Sequence, residues 1–275
     1  MCHHCVVESV KSRMLSRRDF FRGSAVAAGA AALAATAAPR PLFAQAASPM
    51  RAIDLTHELH EAFPTFAGEQ QFFMEPKYEI GSDGYNLNIW TMEEHVGTHI
   101  DAPLHFSEDG ASVAELPVEQ LVCPLAIIDI RERAEADPDA QVTPDDIAAW
   151  VAEHGDIPEG ACIAMLSGWD RHVDTDMFRN ADADGGMHFP GFHPEATDML
   201  MAETGARVIA VDTLSLDHGP SADFAVHYSW LPSGRYGIEC VANLGELPAS
   251  GATLVVGAPK VRNGTGGLAR VFAMV

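Results

Sequence analysis

Residues 95–105 read His95-Val96-Gly97-Thr98-His99-Ile100-Asp101-Ala102-Pro103-Leu104-His105. The odd positions hold His95, Gly97, His99, Asp101, Pro103 and His105. In extended chain alternate side chains point the same way, so the four polar groups begin on one face. A straight strand would still hold His95 and Asp101 about 20 Å apart. Ligands of one ion sit about 2 Å from it. If these residues share an ion, the segment must curl. Gly97 permits a turn that other residues resist, and Pro103 ends regular pairing. The stretch is therefore expected to be a bent, partly extended loop wrapped around a metal. A lone histidine is more often a surface or satisfied core residue. Here the density of donors points to an ion, and imidazole with carboxylate suits zinc, manganese or iron.

Outward from this stretch, the chain has 275 residues and is 47% hydrophobic, enough for one large domain or two small ones. After residue 50 no linker rich in Pro, Gly or Ser divides it. The net charge is −22 with only 17 Lys and Arg. Nucleic acid and anionic membrane surfaces need clustered positive charge, so neither is expected as a partner. The first 46 residues differ. Lys11, Arg13, Arg17, Arg18, Arg22 and Arg40 face only Glu8 and Asp19, a net +4 that leaves −26 to the rest. Ser16-Arg17-Arg18-Asp19-Phe20-Phe21 looks like a twin-arginine export signal. An Ala-rich run follows from Ala25 to Ala38, and Ala44-Gln45-Ala46 offers small residues for cleavage near Ala47. Gly29 and Thr36 interrupt that run, which argues against stable membrane insertion. The expected organisation is a signal peptide over 1–46 and a catalytic domain over 47–275. The expected location is periplasmic or secreted, reached through the twin-arginine export machinery. Cys2-His3-His4-Cys5 lies upstream of the arginines and reads as leader, or as sequence before a start at Met14. The other three cysteines, Cys123, Cys162 and Cys240, are odd in number and exclude a complete disulfide framework. Cys123 and Cys162 sit in apolar runs and are expected in the core.

The pattern predicts strands over 51–59, 85–93, 124–130, 161–167, 208–211, 252–257 and 268–275. Thr143 and Pro144 open a helix that carries Ile147, Trp150 and Val151 on one face and ends at Gly155. Pro194 to Glu203 is a second helix, stopped by Gly205, and residues 223–231 a third. Residues 171–192 read as a long loop. Strands and helices alternate in the middle while both ends are strand-rich, an α/β pattern. Val208–Val211 delivers Asp212, with Asp217 and His218 close behind. These three are open between lining a pocket and satisfying backbone amides.

Amide hydrolysis needs a stronger nucleophile than neutral water and something to hold the developing oxyanion. A bound divalent metal supplies both. A proton shuttle is then needed, and histidine titrates near the working pH. The stretch His95 to His105 resembles the H-x-G-T-H-x-D-x-P-x-H signature of the cyclase family, which includes bacterial kynurenine formamidases and isatin hydrolases. The resemblance runs from about Ile53 to the C-terminus and takes in Pro190-Gly191-Phe192 and Val211 to Asp217. It implies a swivelling β/β/α domain, mixed sheets with flanking helices, assembled as a homodimer or homotetramer. It implies that His95, His99 and Asp101 bind a first metal, and that Asp101 bridges to a second completed by His227 and Glu239. His105 would be the proton donor and acceptor. The cofactor would be zinc or manganese, one or two ions per subunit. Export in the folded state leaves room for manganese loading before export, since copper or zinc would win outside.

One departure concerns substrate. Formamidases of the family look to carry Trp-Pro-Gly-Asp where this chain has Phe66-Ala67-Gly68-Glu69. That points away from formylkynurenine. Phe66 and Trp169 are the candidates for the substrate pocket: Phe66 stands evenly between flooring a pocket and packing, and Trp169 reads first as a core aromatic and second as a pocket wall. The expected function is a secreted metal-dependent hydrolase acting on the C–N bond of a small aryl-formamide or cyclic amide. Lactone opening, dehydration, or metal binding without turnover are the alternatives.

Overall fold

The computed structural model describes residues 51–275. The expected export segment and Cys2-His3-His4-Cys5 lie outside the described residues. In chain order the strands and helices are β1 (Ala52–Asp54), β2 (Phe72–Tyr78), α1 (Ile80–Asp83), β3 (Leu87–Met92), β4 (His99–Asp101), β5 (Val122–Asp129), α2 (Arg131–Ala136), β6 (Gln141–Val142), α3 (Pro144–His154), β7 (Cys162–Leu166), β8 (Gly191–Phe192), α4 (Pro194–Glu203), β9 (Val208–Val211), α5 (Ala225–Trp230), β10 (Tyr236–Glu239), β11 (Ala252–Gly257), β12 (Gly266–Leu268) and β13 (Arg270–Met274).

Continuous apolar runs in the middle of the chain become strands buried on both faces. In β5, Leu125 and Ile127 enter one hydrophobic cluster while Ala126 and Ile128 enter another. β7 and β9 repeat the alternation: Cys162, Ala164, Val208 and Ala210 face the first side, Ile163, Met165, Ile209 and Val211 the second. β5, β7, β9 and β10 pair in parallel, and the connections between them carry α2 to α5. Trp150 of α3, Leu200 of α4 and Trp230 of α5 cover the second side. Antiparallel strands extend both flanks, giving the order β1-β13-β11-β5-β7-β9-β10-β4-β12. Ile53 of β1, Ile100 of β4 and Leu254 of β11 share the first cluster with Leu125 and Ala164. Side chains from distant strands meet there because the sheet curls. The expected α/β class, a mixed sheet with flanking helices, is the observed one.

The chain divides into two compact units. The described part of one is residues 75–89, where Tyr78 and Tyr85 pack at 5.2 Å and the Ile80 N–H donates to Asn86 Oδ1 at 2.8 Å. The other unit covers 51–74 and 90–275 and contains the nine-stranded sheet. Among the described residues no helix is long and apolar enough to cross a membrane.

Helix boundaries follow the capping chemistry. Thr143 and Asp146 form a reciprocal capping box, and Gly155 at φ 89° ends α3. α4 has the expected bounds, Pro194–Glu203, and its cap is Thr204, whose Oγ1 donates to the Leu200 carbonyl at 2.6 Å, rather than Gly205. Several strand expectations need correction. The strand expected over 51–59 is only β1, and Thr56 makes a lone bridge to Val241. The long loop 171–192 contains short 3₁₀ turns and ends in β8. The stretch 95–105 is not loop throughout: His99–Asp101 is a strand inside the main sheet.

Candidate metal centre and cavity

β4 lies between β10 and β12 and runs antiparallel to both. Cross-strand partners share a face of the sheet. Glu239 of β10 stands opposite His99, while Gly237 of β10 and Gly266 of β12 stand opposite Asp101. Asp101 therefore has no neighbouring side chain to crowd it on either strand. A Cβ at Gly266 would lie 2.6 Å from His95 Cε1 and 2.3 Å from the Ile100 carbonyl oxygen. Gly97, at φ 68°, turns the chain just before β4. The turn folds His95 back, so that its Nδ1 lies 2.7 Å from Asp101 Oδ1. His95 Nε2 lies 2.9 Å from Thr265 Oγ1, which donates to the Glu94 carboxylate.

The other two imidazoles are oriented from behind. His99 Nδ1 donates to the Gly97 carbonyl at 2.9 Å, which leaves Nε2 with its lone pair. That Nε2 lies 3.3 Å from Asp101 Oδ1 and 3.4 Å from Glu239 Oε2. Asp217 accepts the Val226 and His227 backbone N–H groups at the start of α5 and the His227 Nδ1–H at 2.6 Å. His227 Nε2 then points to Glu239 Oε1 at 3.2 Å and Asp101 Oδ2 at 3.6 Å. A hydrogen-bonded Nδ1 with a free Nε2 is the arrangement that presents histidine to a metal.

The structure thus brings His95, His99, Asp101, His227 and Glu239 together. They form two donor triads, His95–His99–Asp101 and Asp101–His227–Glu239, each with ligand atoms within 4.8 Å of one another. His99 Nε2 and Asp101 Oδ2 are buried without a hydrogen-bond partner. Burial lowers the proton affinity of His99, but Asp101, Glu239 and the Gly97 carbonyl outweigh it and raise its pKa to about 9. Burial likewise opposes the His227 charge, yet the nearby carboxyl groups of Asp101, Asp217 and Glu239 raise its pKa well above the usual range. Burial and the charge of Asp101 raise Glu239. The cluster demands positive charge in its centre, and its nitrogen and oxygen donors fit a divalent cation.

His105 ends a 3₁₀ turn that starts at Pro103. Its ring stacks on His95 with centroids 3.8 Å apart and planes 21° apart. Burial lowers its pKa to about 4, helped by the surrounding imidazoles and opposed by Asp101, so the ring is neutral near pH 7. Above the cluster lies a cavity of about 270 Å³. Phe66, Phe106 and Phe224 line it, with Phe224 5.7 Å from Phe66 and 5.8 Å from Phe106.

Phe66 is on the cavity wall as expected, but Trp169 is not. Trp169 is 3% exposed and packs with Phe63, Phe178 and Phe189. Its indole N–H donates to the Phe178 carbonyl at 2.9 Å, a tertiary partner that draws the ring inward. Asp212 is structural, accepting from Ser167, Gly168 and Trp169. Asp217 serves the centre by holding His227. Phe106, Phe224, Gln71, Ser215 and Thr265 also line the cavity or support its histidines, and sequence reasoning missed them. Phe106 carried a signal in its position beside His105, and Ser215 in lying within the Val211 to Asp217 segment.

The cyclase family model, described as "Putative cyclase", matches residues 53–218. Isatin hydrolase of Roseibium aggregatum is 36% identical over 209 residues, covering 72% of this chain and 78% of that protein. Kynurenine formamidase of Bacillus cereus is 29% identical over 192 residues, covering 69% and 81%. The structure of isatin hydrolase A from Labrenzia aggregata, bound to benzyl benzoate, aligns with a TM-score of 0.77 at 38% identity over 82% of this chain and 94% of that one. The matched segment runs from β1 through the whole His95–His105 stretch to beyond Asp217, and on that ground the chain belongs to the cyclase family.

Proposed function

We propose that this chain is a metal-dependent hydrolase that cleaves the C–N bond of a small aryl-formamide or cyclic amide. The observation that carries the reading is the pair of donor triads sharing Asp101 at the base of a phenylalanine-lined cavity, with neutral His105 beside them. Relatives named isatin hydrolase and kynurenine formamidase support the same bond type. His95, His99 and Asp101 would hold one ion, and Asp101, His227 and Glu239 a second. Zinc and manganese both suit these donors. A divalent ion bound there lowers the pKa of water and polarises a carbonyl.

The protein's own groups do the rest. Phe66, Phe106 and Phe224 hold an aryl ring and exclude solvent. His105, neutral and stacked on His95, accepts the proton of the attacking water. It returns that proton to the departing nitrogen as the C–O bond forms and the C–N bond breaks. The products are a carboxylic acid and an amine. A panel of isatin, formanilide and simple lactones, followed by absorbance with added zinc or manganese, tests the reading. Amides are expected to be turned over and chelator to stop it. Turnover of lactones alone would sink the amide assignment. His105→Ala is expected to keep its metal and lose about 10²- to 10⁴-fold in rate. Parent-like turnover by that variant would remove His105 from the shuttle role.

The Ser16 to Phe21 motif supports export, and the family resemblance supports a homodimer or homotetramer. Cell fractionation, with N-terminal sequencing expected to begin near Ala47, and light scattering test these two points.

A further inference from the structure

Two buried polar atoms on the cavity wall have no hydrogen-bond partner among the described residues, and the metal triads do not account for them. They are Gln71 Oε1 and Ser215 Oγ. Native proteins leave few such atoms unpaired. Thr65, another polar residue on the same wall, shows the ordinary case: its hydroxyl donates to the Glu69 carbonyl at 2.7 Å and accepts from the Gly68 N–H at 3.1 Å.

Gln71 is anchored through its amide nitrogen, and Ser215 through its backbone and that of the next residue. Gln71 donates its amide nitrogen to the Glu93 carboxylate at 2.7 Å. That bond fixes the orientation of the amide and leaves Oε1 as a pure acceptor. Glu93 is two residues from His95, so Gln71 is tied to the His95 side of the centre. Ser215 is 3% exposed, and its backbone carbonyl accepts from Thr213 Oγ1. The next residue, Leu216, donates its N–H to Glu239 Oε1 at 2.9 Å. Ser215 is therefore tied to the Glu239 side. A buried acceptor and a buried hydroxyl thus belong to two residues that line the same cavity.

We propose that Gln71 Oε1 accepts the amide N–H of the substrate and that the Ser215 hydroxyl donates to a carbonyl oxygen. The proposal rests on the amide-hydrolase reading and narrows it to secondary amides, those that keep a hydrogen on nitrogen. An N-alkylated amide or a lactone leaves Gln71 Oε1 buried and unpaired. A site built around such a hydrogen bond discriminates strongly against an analogue that lacks it.

The test compares isatin with N-methylisatin on the metal-loaded protein, by turnover and by calorimetric binding. The parent is expected to favour isatin by about tenfold to a hundredfold in kcat/KM, mostly through KM. Gln71→Leu removes the acceptor and keeps the bulk, so it brings that ratio close to one while retaining the parent's metal content. Ser215→Ala weakens both lactams by a similar factor and leaves their ratio intact. A parent that treats the two lactams alike, or a Gln71→Leu variant that keeps the parent's ratio, overturns the assignment of Gln71. Parent-like kinetics for Ser215→Ala overturn the assignment of Ser215. Binding separates this proposal from the functional one. A parent that binds isatin selectively without hydrolysing any amide overturns the hydrolase reading and supports Gln71. Equal binding with good turnover does the reverse.

Discussion

Asp101 and Asp212 are 1% and 0% exposed, and each stands at the C-terminal end of a strand in the same sheet. Their surroundings differ. Asp212 Oδ2 accepts the backbone N–H groups of Ser167, Gly168 and Trp169 at 3.0, 2.7 and 3.2 Å, and Oδ1 accepts the Ser167 hydroxyl at 2.6 Å. All its donors belong to one turn of the chain, so the carboxylate works as a clasp. Asp101 faces the rings of His95, His99 and His227, and its Oδ2 has no hydrogen bond among the described residues. The contrast teaches that burial alone does not mark a site. An acceptor that the fold leaves unfilled does.

The largest effect that tests this contrast falls on Asp101. Asp101→Asn is expected to abolish divalent-metal uptake in elemental analysis and to cut kcat/KM by well over about a hundredfold, the upper range for losing a mere supporting partner. Normal metal content in that variant would make Asp101 another clasp. Asp217 is the intermediate case, since it orients His227 without being one of the triad donors. Asp217→Asn is expected to weaken metal affinity by about 10- to 100-fold in competition with a chelating dye. Asp212→Ala is expected to keep full metal stoichiometry and lose about 1–3 kcal/mol of stability in urea, the cost of stranding its buried donors.

The smallest effect is a change of slope with pH. Burial pushes the Asp212 carboxyl up to about 7, against the hydrogen bonds it accepts. The folded value then exceeds the unfolded value of 3.8, so the unfolded chain releases its proton first as pH rises. The stabilising contribution of this group is complete below about pH 4 and fades as pH rises towards 7. In the Asp212→Asn variant the side-chain carbonyl would face the backbone N–H groups and the amide nitrogen the Ser167 hydroxyl, with no proton to release. The variant is expected to lose that part of the slope. Parallel urea midpoints for parent and variant between pH 4 and 7 would show that Asp212 ionises normally.

Local chemistry made much of this legible in the sequence. α3 carries its own cap in Thr143 and its own stop in Gly155, and β9 is an uninterrupted apolar run. The donors of residues 95–101 announced themselves by spacing. The strand character of His99–Asp101 did not, because three residues with two polar side chains have no strand signature without their neighbours β10 and β12. Tyr236–Glu239 was hidden by Gly237 and the terminal Glu239, which break the apolar run that marks β9. Trp169 takes its core reading and not its pocket reading because its partner is the Phe178 carbonyl, a tertiary hydrogen bond. Ser215 and Gln71 matter through what they fail to bond, which no periodicity records.

Because the two first donors of β4 sit inside a hydrogen-bonded ladder, their aim is locked to strand register. Losing or gaining one residue there would send His99 and Asp101 to the opposite face and dismantle the centre at a stroke. Gradual retuning of those donors is closed off. Divergence towards new substrates is left to the segments around 64–71, 106, 214–215 and 224, which can vary while the machinery beneath them stays fixed.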